Sequence, residues 1–544
     1  MRRDKILIVC SALLWGQVGT LTAQDIYRVS DVGSEDLNGT ARFVGMGGAL
    51  GALGADMSVM GTNPAGIGLY RSSDVAITGG LLRQADANAF AGRNPATASF
   101  DQAGFVYAIP MGGKTLRFFN IGFNYHKKKN FHSLFSGGLS GLDGMGDFSG
   151  ISQSWEMANL AYVGGQPLDL TVGADGTLSP DFDMTTPTTG LGAMTSMIAP
   201  TYDKDGNLVG YYPSLAASNA TRAARWGGIE QYDFNFSTNL RDRIYLGLTL
   251  SAYHVSWHSA LDYNELIYDG SGNTGDYALS TDEALSGSGF DVKFGLIVRP
   301  IEESAFRIGL SFTSPTFYTL THSAHAWMQS PYVDDYGAPL NNDVDVSPHD
   351  YLIRTPWKVN LSLGHTVGDY LAIGVEYEYA NYGTSKIRYP DSYDDYWYGD
   401  GWGYSTTDDY AMNDEISRFL KGVSTVRVGA EARVAKGCFL RVGYNYVSEP
   451  MSGDAYNNLF TSSPSYYYSV NTDYLNLGPT HRGTFGFGYR GKHFYADIAY
   501  QFQKQDGEYY SFYLSQDNSE RNALPAVPVK LDRHQGLLTL GYKF

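Results

Sequence analysis

The sequence predicts an all-β fold: a transmembrane antiparallel β-barrel of about fourteen strands, with its N-terminal segment plugging the lumen. Three observations predict it. Segments of eight to ten residues alternate apolar and polar side chains again and again. Short turns alternate with long polar excursions. The last nine residues, Gly536 to Phe544, place Leu538, Leu540, Tyr542 and Phe544 on one face and Thr539, Gly541 and Lys543 on the other. A two-residue period is how a barrel meets lipid outside and water inside.

Residues 1–23 read as a cleaved secretory signal. Arg2, Arg3 and Lys5 precede the apolar run Ile6 to Leu14, and the small residue Ala23 marks the cleavage point. That run is well short of the ~20 residues a membrane helix needs. Only Cys438 then remains in the mature chain, which excludes an internal disulfide. No later stretch reads as a membrane helix, so a membrane location requires a closed barrel, in which every backbone group is paired.

Residues 24–73 do not alternate. Small residues dominate 41–70, which allows close backbone approach. The spacing of Gly45, Gly47 and Leu50 breaks the dinucleotide pattern, and no strand precedes it. The segment is expected to form a compact hatch inside the barrel. Asn63-Pro64-Ala65 is its candidate motif, because Pro64 fixes its own φ and biases Asn63 away from helix. Here the chain resembles a known family. Arg42, Gly45-Met46-Gly47-Gly48-Ala49, Asp56 and Asn63-Pro64-Ala65-Gly66 are similar to the hatch of the FadL/TodX group of hydrophobic-compound transporters. The resemblance implies a fourteen-stranded barrel, capture of an apolar ligand inside it, and sideways release beside a kinked third strand. Gly122 is the candidate for that kink.

Strands are expected near 74–83, 101–110, 116–127, 226–238, 243–258, 286–299, 304–326, 351–366, 369–388, 416–434, 437–447, 481–490, 492–503 and 533–544. In 244–253, Ile244, Leu246, Leu248, Leu250 and Ala252 oppose Tyr245, Gly247, Thr249, Ser251 and Tyr253. Similar alternation runs through 118–126, 290–299, 306–312, 371–379 and 426–434. Such segments match a tilted membrane strand of ~9–11 residues. Tight turns fall near 111–115, 239–242, 299–304, 367–369, 435–437 and 490–492. Excursions occupy 128–225, 259–285, 328–350, 383–414, 448–478 and 504–530, and include the run Tyr393 to Tyr398. The turns are expected in the periplasm and the excursions outside, with 128–225 as an extracellular insertion in the barrel unit 74–544. An even strand number returns both barrel ends to one side.

A net charge of −17 argues against nucleic acid as a partner. Neither G-x-S-x-G nor H-E-x-x-H occurs, and the chain is read as a non-enzyme without cofactor or metal. His254 and His258 are expected on the lumen face, as no metal site. Asp203 to Asn207 holds part of a calcium-loop pattern without the later ligands and is expected to be a turn. Candidate ligand contacts are Phe43, Met46, Met57 and Met60, which suit an apolar pocket. Lys293, Arg307, Arg427 and Arg441 are candidates to hold a carboxylate. The expected function is passive uptake of hydrophobic small molecules such as long-chain fatty acids. The alternatives are a general porin, a host-interaction barrel and a barrel enzyme. Expected partners are an apolar ligand, outer-membrane lipid, and the barrel-assembly machinery through Phe544, with the chain a monomer.

Overall fold

The computed structural model describes residues 25–544 except 145–149, 172, 174–178, 180, 182–183, 269–273, 391–405, 458, 460–462 and 517–518. The signal expected at 1–23 and the Tyr393–Tyr398 run lie outside the described residues.

One sheet of twenty segments closes on itself. Six staves consist of two segments each, which leaves fourteen. They are β1 (Asp74–Gln84), β2 (Ala96–Pro110), β3 (Leu116–Asn130, then Ser133–Ser140), β4 (Leu215–Leu240), β5 (Ile244–Tyr268), β6 (Thr274–Val298) and β7 (Arg307–Thr313, then Phe317–Val333). They continue with β8 (Pro339–Arg354, then Lys358–Val367), β9 (Leu371–Asn381, then Lys386–Pro390), β10 (Thr406–Asp408, then Gly422–Ala435) and β11 (Cys438–Val447). The last are β12 (Tyr474–Arg490), β13 (Phe494–Tyr510) and β14 (Val527–Lys530, then Arg533–Lys543). Every neighbouring pair is antiparallel, and β1 zips to β14 from Asp74–Lys543 to Gln84–Arg533. Closure removes the sheet edges that a bilayer would leave unsatisfied.

The outer wall carries an apolar belt. On β5, Ile244, Leu246 and Leu250 are exposed while Tyr245, Gly247, Thr249 and Ser251 face inward. Phe234, Phe290, Phe294, Leu310, Leu361, Val375, Val442, Phe485 and Leu540 continue the belt on other staves. This is a lipid-facing surface by composition and by closure.

Above the belt the polarity of the strands inverts. On β5 the inward positions become Val255, Trp257, Leu261 and Tyr263, and the outward ones become His254, Ser256, His258 and Asp262. β6 inverts likewise, with Leu285, Leu279 and Tyr277 inside. The strands therefore reach much farther than an apolar-outside pattern predicts. Residues 259–285 and 328–350 are largely strand, and the 128–225 insertion shrinks to 141–214 because β3 and β4 extend into it. Inversion also places His254 and His258 on the outer face, not the lumen face.

The described parts of the excursion 141–214 fold back onto this apolar inner surface as a lid. Its α-helices Ser154–Leu160 and Pro187–Met194 bury Met157, Leu160 and Leu191. These belong to apolar clusters that reach from Leu261, Tyr277 and Met328 on β5–β7 to Phe512, Leu514 and Leu459 across the mouth. Gln153 clamps both sides: its amide donates to Thr472 Oγ1 (2.6 Å) and accepts from Tyr277 Oη (2.6 Å). Asp203 to Asn207 form an exposed turn, with the Asp203 carboxylate accepting from the Asp205 and Asn207 amides at 2.8 Å. Residues 416–419, expected in a strand, end the helix Tyr410–Phe419. Asp409 caps it, and Met412, Ile416 and Phe419 share one buried stripe.

Inside the barrel sits the hatch. α1 (Asp25–Gly33) packs Ile26, Val29 and Val32 into a lumen cluster with Tyr253, Tyr318 and Tyr382. Below it lie α2 (Ala41–Gly45) and two 3-10 turns, Met57–Gly61 and Pro64–Leu69. Thr40 caps α2 and donates to Asp56 at 2.8 Å, while Asp56 caps the first turn, so α2 and that turn lock together.

The hatch backbone lies directly on the wall because the wall is bare there. Gly364, Gly374, Gly429 and Gly443 are successive cross-strand partners on β8–β11. A Cβ on Gly374 would meet Ala49 O at 2.0 Å, on Gly429 Met46 O at 2.2 Å, and on Gly443 Gly47 N at 2.2 Å. Gly247 and Gly295 do the same for Pro64 and Ala65. The wall's inner charges grip the hatch below this row. Arg42 binds Glu431 through Nε and Nη2 (3.0 and 3.2 Å), and Arg441 bridges Glu431 and Asp497 at 2.6 Å each.

Gly429→Val is expected to loosen the hatch by about 1–3 kcal/mol, as overpacking of two backbones does. Limited proteolysis of residues 25–73 reads this out. Gly536→Val, whose Cβ meets nothing within 4 Å, is expected to leave the cleavage rate unchanged.

Candidate functional site

A cavity of about 250 Å³ lies in the lumen between α1, the hatch and the staves β12–β14 and β3. Phe131, Phe135, Leu475, Leu477 and Leu531 give it one apolar side. The other side is ionic. Arg28 pairs with Glu283, Lys358 with Glu35, and Arg427 with Glu378 (3.1 Å) and Glu376 (3.6 Å).

The wall beside this cavity is incomplete. β2 and β3 pair from Pro110–Phe118 up to Gln102–His126, and the ladder ends there. A bulge at Asp101 shifts β2 against β1, with Thr78 opposite Gln102 and Gly79 opposite Phe100. Above it β2 follows β1, and the upper segment of β3 pairs with β4. A gap remains between 96–101 and 127–132.

Hatch residues 36–38 fill that gap from inside. The Asp36 amide donates to Lys128 O (2.9 Å), and the Asn130 amide donates to Asp36 Oδ2 (2.9 Å). Asn38 Nδ2 donates to Lys127 O (3.1 Å) and to Asp101 Oδ1 (2.9 Å), so it ties β3 to β2. Gln84 completes the seam: its side chain bonds Leu134 N and O at 2.8 and 2.6 Å, as a neighbouring strand would. This strap substitutes for the missing ladder.

Charge holds the strap in place. Burial alone would raise the Asp36 pKa, but Lys129, Arg533 and Arg482 outweigh it and hold the carboxyl below its ordinary range. Glu35 behaves alike: burial opposes ionisation, and Lys358 and Lys128 overcome it. Glu156 in the lid is different. Burial pushes its carboxyl well above the usual range, and Lys204 is the only basic residue in 141–214.

The sequence-derived candidates are scattered. Phe43 and Arg427 line the cavity, and Lys293 lines a small side chamber near it. Lys293 is committed to Asp291 (2.6 Å), Arg441 to Glu431 and Asp497, and Arg307 to Leu53 O (2.9 Å). Met46, Met57 and Met60 are buried in the hatch core and do not border the cavity. Gly122 is packed under the Met60 methyl, and both its ladders run through it without a break. The irregularity in β3 lies higher, at Lys127/Lys129 and at 131–132. It sits there because the strap supplies those backbone groups with partners. Asn63 caps the turn Pro64–Leu69, accepting from Ala65 N at 3.2 Å, and Pro64 O accepts from Asn235 (3.3 Å). The motif seats the hatch on Gly247 and Gly295, away from the cavity. Sequence reasoning missed Asp36, Asn38, Gln84, Lys129, Arg482 and Arg533. The bulge residue Asp101, an acid on a strand otherwise in phase, was the available signal.

No known family model matches the chain, and no curated protein matches it. Solved structures do. The Ralstonia pickettii toluene transporter TbuX is 13% identical at a TM-score of 0.45, covering 93% of this chain and 98% of its own. A Pseudomonas aeruginosa FadL homologue is 11% identical at 0.47, covering 94% and 99%. The Pseudomonas putida toluene transporter TodX is 13% identical at 0.43, covering 94% and 99%. Two of these bear the names of the group that the hatch residues resemble.

Asp36→Ala is expected to speed amide exchange at Asn130 by about 10–100-fold, as loss of a charge-assisted bond of roughly 1.5–3 kcal/mol requires. Its lowered pKa fixes the pH sign. The strap's ionic support is complete above about pH 4 and is lost as pH falls through the depressed folded value. Exchange measured by mass spectrometry from pH 7 to pH 3 checks both. Glu156 gives the opposite slope. Its raised pKa lowers lid stability as pH climbs above about 4. Glu156→Gln is expected to flatten that slope in lid proteolysis between pH 5 and pH 9.

Proposed function

We propose that this chain belongs to the FadL/TodX group and conducts hydrophobic small molecules across an outer membrane by passive diffusion. A molecule passes the lid, rests in the lumenal cavity, and leaves sideways between β2 and β3 when the strap 36–38 lets go. The observation that carries this reading is Asn130. It borders the cavity on the inside and an outward-opening pocket on the far side of the gap. The strap and the Gln84 seam lie between. A general porin has no use for a hatch seated this closely, or for a lid across the mouth.

Long-chain fatty acids are the preferred ligand in this reading. The apolar side formed by Phe135, Leu475, Leu477 and Leu531 suits a chain. Lys129, Arg482 and Arg533 surround the single carboxylate of Asp36, so positive charge is in excess beside it. Arg482 Nη2 stands 3.6 Å from Asp36 Oδ1, and the Arg533 Nε is buried without an acceptor among the described residues. A ligand carboxylate fits that surplus and competes with Asp36 for it. Binding would then loosen the strap, which couples capture to release. A cleaved signal at 1–23, a monomeric barrel, and assembly guided by Phe544 complete the proposal.

Uptake of radiolabelled oleate and of toluene into cells, with and without the chain, tests it. Oleate uptake is expected to depend on the chain. Asp36→Ala/Asn38→Ala is expected to raise its initial rate several-fold, and Arg482→Gln/Arg533→Gln to lower oleate uptake more than toluene uptake. Oleate entering equally fast without the protein would refute the assignment.

A further inference from the structure

We propose a lipid-headgroup site on the outer wall, where the chain grips a phosphate-bearing lipid of the surrounding membrane. The pocket measures about 530 Å³ and opens outward from the β2–β3 gap. It lies on the outer side of the gap through which the proposed route leaves, but its binding of lipid rests only on the barrel being embedded in a bilayer.

Register places it at headgroup depth. Phe123, Phe234 and Leu250 are cross-strand neighbours on the outer face of β3–β5. One outward row higher stand Tyr125, Tyr232 and Ala252, and Phe100 of β2 stacks on Tyr125 at 5.3 Å. One further row up are Lys127, Glu230 and His254. The wall thus passes from greasy to aromatic to charged within three rows. Aromatic girdles mark the level where acyl chains meet headgroups.

The lining has the charge a phosphate requires. Arg93 and Lys127 supply the positive charge, His132 and His254 stand beside them, and the pocket has one acid, Glu230. That acid is already engaged by Tyr125 Oη (3.3 Å) and Tyr232 Oη (3.0 Å). On the same outer face, Arg83 of β1 lies opposite Ala96 on the pocket rim. The Arg93 guanidinium stacks over the Trp226 ring at 4.4 Å, and Trp226 in turn stacks on His258 at 5.4 Å. Stacking fixes the guanidinium plane and leaves its edge for bidentate contact with an oxyanion. Two buried side-chain nitrogens here have no hydrogen-bond partner among the described residues, Arg93 Nε and His132 Nε2, and His132 is only 5% exposed. Buried polar atoms of this kind are rare unless something outside the chain completes them. A lipid phosphate does so, while its acyl chains lie down the wall over Phe100, Phe123 and Phe234.

Native mass spectrometry of the full chain in a neutral detergent tests the site, with phosphatidic acid, diacylglycerol and inorganic phosphate as probes. Phosphatidic acid is expected to stay bound, and Arg93→Gln/Lys127→Gln to weaken it at least tenfold. Ala98→Glu, which puts an acid on the rim and leaves the donors intact, is expected to do the same. Heat-modifiable migration on gels verifies that each variant is folded. Diacylglycerol has the chains without the phosphate and is expected to bind no better than background. Equal retention of phosphatidic acid by the folded variants, or by diacylglycerol, overturns the proposal. Inorganic phosphate binding as tightly as phosphatidic acid also overturns it, because the ligand is then a free anion.

Discussion

Everything inside this barrel depends on contact between two backbones. A hatch built of small residues can plug a cylinder only if the cylinder wall has no side chains where they meet. The successive partners Gly364, Gly374, Gly429 and Gly443 provide that strip, and Gly247 and Gly295 provide a second one under Asn63-Pro64-Ala65. Each such glycine weakens its own strand, because it packs nothing and gains freedom on unfolding. The sheet tolerates this because the hatch supplies the missing packing. Wall and plug are therefore one folding unit. The ion pair from Arg42 to Glu431, a carboxylate that Arg441 of the wall also holds, fixes the orientation of the hatch on that strip.

A second constraint is the change of solvent along each long strand. In the belt, lipid lies outside and polar groups inside. Farther up, water lies outside and the lid inside, so the same two-residue period carries the opposite pattern. β5 crosses the change at Tyr253, and β6 between Phe290 and Leu285. The strands continue through it because hydrogen-bonded pairing does not depend on which face is apolar. What this adds is an upper chamber whose inner surface must be covered. The 141–214 excursion covers it and bridges to the loops after β11 and β13.

The architecture was legible in the sequence to the extent that the pattern kept one phase. Ile244 to Ala252 and Phe290 to Val298 announce both their strand and their faces. Val255, Trp257 and Leu261 continue the period but exchange its sides, so a reading anchored on apolar-outside residues stops too early. The helix Tyr410–Phe419 was hidden because Met412, Ile416 and Phe419 abut a real strand at Gly422. For the site, composition pointed to methionines and to lumen arginines. The methionines are spent on packing, and Arg307 and Arg441 on ties to the hatch and to neighbouring acids. Asp36 and Asn38 matter through a break in the β2–β3 ladder. No local pattern encodes that break, since it arises from the meeting of three staves and a plug.

The strap and the glycine strip hold the same plug by different means at different heights. The lower hold is steric and ionic and spread over many strands, whereas the upper one consists of a few bonds at Asp36 and Asn38. Loosening the upper hold need not disturb the lower. If molecules leave through the flank as proposed, the axial bore can stay corked while they pass, and such a route would offer no path to salts or other water-soluble solutes.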